Sequence, residues 1–325
     1  MSSVEDEGAD DWERRMADHD SRSTDYGLRL TGKEALRRGT AALRAAGIDE
    51  PEFEADLLLR HALRRNRAYL YAHLPEVLSE EQERAFLDVV RRRQQHRPTA
   101  YITGVREFYG IELYVAPGVL IPRPETELLV DEAIRLLRAR LGAREAPVFV
   151  DVGTGSGAIV LAVARRLPQV ECIGIDRSPD ALAVAGLNAK RPHLAGRVEF
   201  LQGDLLRPLP APADVVVANL PYLPTAAWEA LPPEVHDHEP RLALDGGPDG
   251  LDLIRRLIGE APSHLRSEGA LLLEIDGGQA DSVLSLLADA FPAGRRYVLR
   301  DLAGIERVVA VTCGQEDLPR AAILR

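Results

Sequence analysis

Four short strand-like runs, Val148–Val152, Cys172–Asp176, Val198–Leu201 and Val215–Ala218, follow one another, with helical sequence after the first, and each ends in a turn. The last is apolar throughout, which suits a strand covered on both faces. Strands interleaved with helices build a mostly parallel, doubly wound sheet. Such a sheet takes its ligands in the crevice outside the carboxyl ends of its strands. The residues that close these four runs are therefore the first place to look for chemistry.

The first run leads into Gly153-Thr154-Gly155-Ser156-Gly157-Ala158, and helical sequence continues from Ile159 through Leu167. Glycines there let a ligand approach bare backbone and a helix N-terminus. The same letters satisfy the dinucleotide pattern G-x-G-x-x-A, so the loop alone fits NAD or S-adenosylmethionine. Asp176 closes the second run about twenty residues on, a spacing suited to a carboxylate that grips ribose hydroxyls in either cofactor. Asp151 stands just before the turn, where it could reach the ammonium group of a methionine moiety. A pyrophosphate would gain nothing from a carboxylate there, which favours S-adenosylmethionine. The third run passes into Gly203-Asp204-Leu205. Asp204 is read as a partner for the adenine amine with Leu205 under the ring, against a competing reading as a helix cap or turn residue.

The fourth run ends in Asn219-Leu220-Pro221-Tyr222. An asparagine oxygen and the next carbonyl can accept both protons of one planar NH2 group, and an aromatic ring can pack on the plane that carries it. An amide nitrogen is a poor nucleophile because its lone pair is delocalised. Two placed acceptors hold its protons aside and favour pyramidalisation, so that the lone pair can point at an electrophilic carbon. Amino-acid grip, ribose grip, adenine grip and planar-nitrogen corner thus follow in sequence order.

The remaining properties bound the answer. The chain has 325 residues, enough for a substantial core and two domains. Its 51 acids against 40 Lys and Arg give a net charge of -11, which argues against a protein relying on generic phosphate contacts. Stable nucleic-acid binding is not expected. Cys172 and Cys313 form neither a disulfide framework nor a metal cluster, so no metal and a reducing cytoplasm are expected. No apolar run reaches membrane-spanning length and no signal-peptide core opens the chain.

Residues 1–27 are polar and mostly acidic and are read as a disordered tail. Residues 28–97 read as a small helical domain. Thr31-x-x-Glu34 and Ser79-x-x-Gln82 resemble capping boxes, Asp49 with Pro51 suits a helix start, and Phe53, Leu57, Leu58 and His61 form one core-facing stripe. Residues 98–125 read as a hairpin linker and 126–325 as the catalytic domain. Within the linker, prolines on both sides of Arg123 stiffen the segment through Pro122, Arg123, Glu125 and Thr126. It is either one wall of the crevice or an interdomain connection capped by Thr126. Gly269–Ile275 reads as a fifth strand, with Tyr297–Arg300 and Glu306–Val311 as a closing antiparallel pair. His236-Asp237-His238-Glu239 lacks further ligands at metal spacing and reads as a solvated loop. Arg91-Arg92-Arg93 reads as a solvated helix end, and Gly277-Gly278-Gln279 as a turn into a helix.

Taken together these motifs resemble the protein-(glutamine-N5) methyltransferases of peptide-chain release factors, the PrmC or HemK family. The resemblance runs from about Thr31 onward. Its most specific parts are Arg97-Pro98-x-x-Tyr101-Ile102-x-Gly104 and Val119-Leu120-Ile121-Pro122-Arg123-Pro124-Glu125-Thr126-Glu127. It implies a class I S-adenosylmethionine-dependent methyltransferase fold, a Rossmann-like seven-stranded sheet, behind a helical N-terminal domain that helps to recognise the partner. It also implies a substrate, the Gln of the Gly-Gly-Gln loop of class I release factors, and places cofactor contacts at Pro122, Arg123, Glu125, Thr126, Asp151, Gly153, Thr154, Gly155, Gly157, Asp176, Asp204, Leu205 and Asn219. The target amide falls to Asn219, Leu220, Pro221 and Tyr222. A monomer is favoured.

One departure lies at the centre: the family has Asn-Pro-Pro-Tyr, and this chain has Leu220 at the first proline position. A leucine also offers the backbone carbonyl, and Pro221 still biases it toward extended conformations. Some rigidity is lost, about 1 kcal/mol of preorganisation. Asn-Leu-Pro-Tyr also occurs in rRNA adenine dimethyltransferases, which make the competing reading. Those enzymes carry a Gly-Pro-Gly-type turn, lack the Pro-Arg-Pro-Glu-Thr segment and are basic. A second alternative is a module that binds S-adenosylmethionine without transferring its methyl group.

Overall fold

A computed structural model describes residues 29–141, 146–191, 194–314 and 323–324; the acidic tail at 1–27 lies outside them. The chain divides after Thr103 into two compact units. The first is helical: α1 (Gly32–Ala45), α2 (Pro51–Leu63), α3 (Arg67–Ala72), α4 (Glu80–Gln94) and α5 (Thr99–Thr103). Both expected capping boxes form, Thr31 with Glu34 and Ser79 with Gln82, each worth about 1 kcal/mol. Pro51 occupies the first turn of α2, but the residue before it, Glu50, has left-handed backbone and makes no side-chain cap, so Asp49 is not the cap.

The stripe on α2 differs from expectation. Ala55, Leu58 and Leu59 reach the core, while Phe53 is 54% exposed and His61 is exposed. A helix with apolar residues on several sides has no unique face by periodicity, and packing chose another one. Arg93 is also not solvated: it is buried, with Nε 3.3 Å from Glu54.

The segment read as a hairpin linker is part helix. The Pro98 carbonyl accepts from Tyr101 and Ile102 N–H, so Pro98 starts α5 instead of a strand. The hairpin itself, β1 (Val105–Phe108) with β2 (Ile111–Tyr114), opens the second unit and turns on Tyr109 and Gly110, both in the left-handed region.

The second unit carries β3 (Val148–Val152), β4 (Glu171–Asp176), β5 (Val198–Gln202), β6 (Ala213–Ala218), β7 (Leu265–Glu274), β8 (Arg295–Arg300), β9 (Glu306–Thr312) and the two-residue β10 (Ile323–Leu324). The sheet order is β10-β8-β9-β7-β6-β3-β4-β5. Strands β3 to β7 pair in parallel and β9 lies antiparallel to both neighbours. Seven strands were expected; β10 adds a short eighth at the edge. Helices α6 (Glu127–Leu141), α7 (Ala158–Arg166), α8 (Pro179–Ala189), α9 (Pro233–His236), α10 (Asp252–His264) and α11 (Ala280–Ala290) complete the unit.

Every residue of β6 is buried. Val215 and Val217 join α6 and α7 in one core, and Val216 and Ala218 join α10 and α11 in the other. Each of the three valines contributes about 1.5–3 kcal/mol, which anchors the strand that carries Asn219. The strand order reverses between β3 and β6, so a crevice opens at their carboxyl ends. Among the described residues no helix is long and apolar enough to cross a membrane.

Candidate active site

The turn after β3 folds over the end of β4. Gly153 and Thr154 N–H donate to the Ile175 carbonyl at 2.8 and 2.9 Å, and Gly155 N–H donates to Asp176 Oδ2 at 2.9 Å. Gly153, Gly155 and Gly157 all have positive φ, which side-chain-bearing residues adopt only at a cost of roughly 1 kcal/mol or more each. Asp176 Oδ1 accepts from Ser178 N–H at 2.9 Å. Each carboxylate oxygen keeps a further lone pair for a ligand hydroxyl.

This turn forms one wall of a cavity of about 800 Å³, its open mouth included. Gly153, Gly155, Asp176, Asp204, Leu205 and Asn219 line it, as do Leu220 and Pro221. The other sequence-predicted residues lie elsewhere. Thr154 and Asp151 sit behind the turn: Thr154 Oγ1 donates to Asp151 Oδ2 at 2.6 Å, and Val160 N–H donates to the same oxygen at 3.3 Å. Gly157 starts α7, where a Cβ would meet Leu161 and Ala185. Pro122 is buried with its carbonyl on Arg106, and Glu125 is exposed; neither lines the cavity. Asp204 borders the cavity, but its Oδ2 is engaged by Arg256.

A second, smaller cavity of about 280 Å³ adjoins the first. Leu120, Asn219 and Ala243 line both, and Arg123 and Tyr222 line only the second. Asn219 Nδ2 donates to Thr126 Oγ1 at 3.1 Å, so the rigid segment after Leu120 supports the corner as well as walling the crevice. Leu220 is 5% exposed and lies on the turn, where a Cβ at Gly153 would stand 3.0 Å from Leu220 Cδ2. Packing against a bare glycine holds the backbone at a position where the family has a proline ring.

Several contributors were not read from the sequence. Glu239, assigned to a solvated loop, is 5% exposed; it accepts from Ile121 N–H at 3.2 Å and from the Arg123 guanidinium. It ties the strap after the corner, whose Pro240, Leu242 and Ala243 line the cavity, to the Pro-Arg-Pro segment. Gln279 Nε2 donates to the Tyr222 carbonyl at 2.8 Å, so the Gly-Gly-Gln turn after β7 braces the corner from behind. The cluster Gly246-Gly247-x-x-Gly250 was the available signal, since such a cluster marks a tight turn. Here Gly246 and Gly250 pack directly on the Pro221 and Tyr222 carbonyls. Of the two histidines in that strap, His236 pairs with Asp237 at 2.6 Å and tilts against Trp228. Among the described residues, no three His, Cys, Asp or Glu side chains stand where they could hold a metal ion.

Two buried carboxylates complete the electrostatics. Burial raises Asp151 to about 7, opposed by the Thr154 and Val160 hydrogen bonds and reinforced by Asp176. Burial likewise raises Glu274, at the end of β7, to about 7, opposed by the Thr126 side chain, the Arg307 charge and the Asn219 side chain. Each leaves one oxygen without a partner among the described residues. An unpartnered buried oxygen costs about 1–3 kcal/mol. A cationic ligand group in the cavity would favour the ionised form of Asp151 across the turn, and a ribose fits the free lone pairs of Asp176. The residues present therefore fit S-adenosylmethionine.

This sheet order, this turn and this cavity define a class I S-adenosylmethionine-dependent methyltransferase. Residues 34–104 match the PrmC N-terminal domain and residues 144–274 a methyltransferase domain. A release factor glutamine methyltransferase of Geobacter sulfurreducens is 41% identical over 278 residues, covering 84% of this chain and 93% of that protein. One of Moorella thermoacetica is 42% identical over 279 residues, covering 86% and 97%. A solved protein-(glutamine-N5) methyltransferase of Alicyclobacillus acidocaldarius is 32% identical, with 62% of this chain and 98% of that one covered and a TM-score of 0.37. The chain belongs to the release factor glutamine methyltransferase family. Neither the rRNA reading nor the inactive-module reading is favoured by these relatives.

Proposed function

We propose that this chain methylates the side-chain amide nitrogen of the glutamine in the Gly-Gly-Gln loop of class I release factors. The observation that carries the reading is the meeting of two cavities at Asn219. The larger suits the cofactor; the smaller, edged by Tyr222, suits a glutamine side chain. S-adenosylmethionine, when bound, supplies an electrophilic methyl group on a cationic sulfur. Asn219 Oδ1 and the Leu220 carbonyl each accept one N–H of the target amide and so set the face that the nitrogen presents. The Tyr222 ring packs on the amide plane. Burial and the neighbouring Glu274 charge raise the Tyr222 hydroxyl, which keeps it neutral beside the substrate. No strong base is needed before transfer, because the amide proton becomes acidic only after the nitrogen is alkylated. Positioning supplies most of the acceleration.

The test is labelled S-adenosylmethionine incubated with enzyme and an unmodified class I release factor, followed by peptide mapping. One methyl group on the Gly-Gly-Gln glutamine is expected. Methylation of another residue, or of rRNA in its place, would overturn the substrate.

Asp151 gives a pH dependence to cofactor affinity. Its ligand-free value of about 7 is raised above the ordinary carboxylate range, and a cation in the cavity in front of the turn favours the ionised form. Binding below pH 7 must then release a proton, so affinity should rise about tenfold per unit from pH 5.5 toward 7 and level off above it. Titration calorimetry should show this slope in the wild type and lose it in Asp151→Asn. A flat wild-type profile would remove Asp151 from the ammonium site.

A further inference from the structure

We propose that Glu274 and Thr126 are positioning residues that decide which end of the Asn219 side-chain amide faces the substrate. The inference rests on the functional reading above. A carboxamide presents an acceptor at one end and donors at the other, and the two ends have nearly the same shape. With Oδ1 forward, Asn219 accepts an N–H of the target. With Nδ2 forward, donor would meet donor, and the target nitrogen would be pushed out of line. The catalytic role therefore requires one orientation and not its equal-volume alternative.

The structure supplies a polarity chain that makes the choice. Asn219 Nδ2 donates to Thr126 Oγ1 at 3.1 Å. A hydroxyl has one proton to give, and Glu274, which follows Leu273 opposite Ala218 in the parallel register, stands beside Asn219, with the Thr126 and Asn219 side chains both favouring its ionised form. A carboxylate is acceptor-only, so it draws the Thr126 proton toward itself and leaves a hydroxyl lone pair facing the Asn219 NH2. Without that carboxylate the hydroxyl could rotate and donate to Oδ1, and the reversed amide would be equally satisfied. Thr126 and Glu274 are 4% and 3% exposed, so bulk solvent does not compete at these groups.

Glu274 is poorly explained as a fold-holding group. Its Oε2 has no partner among the described residues, and a buried acid left in this state destabilises relative to an apolar side chain. The charges around it are mixed: Arg307 on β9 favours its ionised form, while Glu125 on the Pro-Arg-Pro segment and the Tyr222 hydroxyl of the corner face it as well. One of the side chains that favour its ionised form is the amide proposed to hold the substrate. An acid retained at a cost in stability, on the strand position beside that amide, points to a role in the reaction.

The test combines spectroscopy and kinetics. In 15N-labelled, ligand-free protein, the Asn219 side-chain NH2 signals, identified by their loss in Asn219→Ala, are followed from pH 5.5 to 8.5. They should shift with a midpoint near 7 in the wild type and stay fixed in Glu274→Gln. At pH 8, Glu274→Gln should lower kcat tenfold or more with the KM for S-adenosylmethionine within twofold, and kcat should lose its wild-type fall below pH 7. Thr126→Val, which keeps the shape and removes the hydroxyl, should show the same kcat loss, and Thr126→Ser should restore most of it. Wild-type kcat in both Glu274→Gln and Thr126→Val, or Asn219 signals that ignore pH in the wild type, would overturn the inference. Wild-type protein that titrates as expected but methylates no release factor would leave the polarity chain standing and overturn the substrate.

Discussion

Asn219→Ala should lower kcat by about 10²–10³-fold while leaving S-adenosylmethionine affinity close to that of the wild type. Loss of one preorganised polar contact in an acyl-transfer site costs this much, and Asn219 supplies one of only two acceptors proposed for the target NH2. The cofactor cavity keeps its other walls, including Gly153, Gly155 and Asp176. The change is expected in turnover and not in binding. Single-turnover transfer to an unmodified release factor, paired with calorimetry, separates the two. Turnover within threefold of wild type would mean that Asn219 does not position the amide. Asn219→Asp is a useful companion. It offers two acceptors and needs no orientation, but it places a second carboxylate beside Glu274. Part of the loss should be recovered only where one of the two acids is protonated.

Gly250→Ala should be the most damaging single-methyl change near the site. An added Cβ would lie 2.1 Å from the Tyr222 carbonyl oxygen and 2.7 Å from Gln279 Nε2, at φ +79°. The contact with backbone cannot be relieved by rotating a side chain, so either the corner or the turn must move. Overpacking costs about 1–3 kcal/mol, and the left-handed backbone adds roughly 1–2 kcal/mol. A displacement of about 1 Å at the corner is enough for a 10²-fold loss in kcat. Thermal melting and turnover should fall together. Gly259→Ala is the control: it lies in α10 with open space around it and should stabilise the helix by about 1 kcal/mol. Equal behaviour of the two variants would show that the corner is not held by this turn.

Sequence and structure agree where one local rule decides the outcome. The capping boxes of α1 and α4 need only four consecutive residues each, and the apolar runs of β3, β4 and β6 leave no polar face to choose. The strand-ending residues Asp176, Asp204 and Asn219 fall on one cavity because parallel strands must share a carboxyl edge. Agreement ends where the outcome depends on long-range packing. Nothing adjacent to Glu239 announces that it would reach back to Arg123, more than a hundred residues earlier. The core face of α2 is chosen by its neighbours, and Pro98 can open a helix as readily as a strand. Asp151 was placed correctly ahead of the turn, but its side chain faces the turn's own donors, and letters alone carry no side-chain direction.

Gln279 has a consequence for how the enzyme treats itself. The chain carries Gly277-Gly278-Gln279, the same tripeptide proposed as its target, a short distance behind its own reaction centre. The Gln279 nitrogen gives its protons to the Tyr222 carbonyl at 2.8 Å and the Asp249 carbonyl at 3.4 Å, while its oxygen accepts from Asp276 N–H. Two acceptors also define the proposed target site, but Gln279 has both protons committed behind the corner and lines neither cavity. A peptide map of the enzyme after incubation with S-adenosylmethionine should therefore show Gln279 unmethylated, because the bonds that brace the reactive corner also hold this amide outside it.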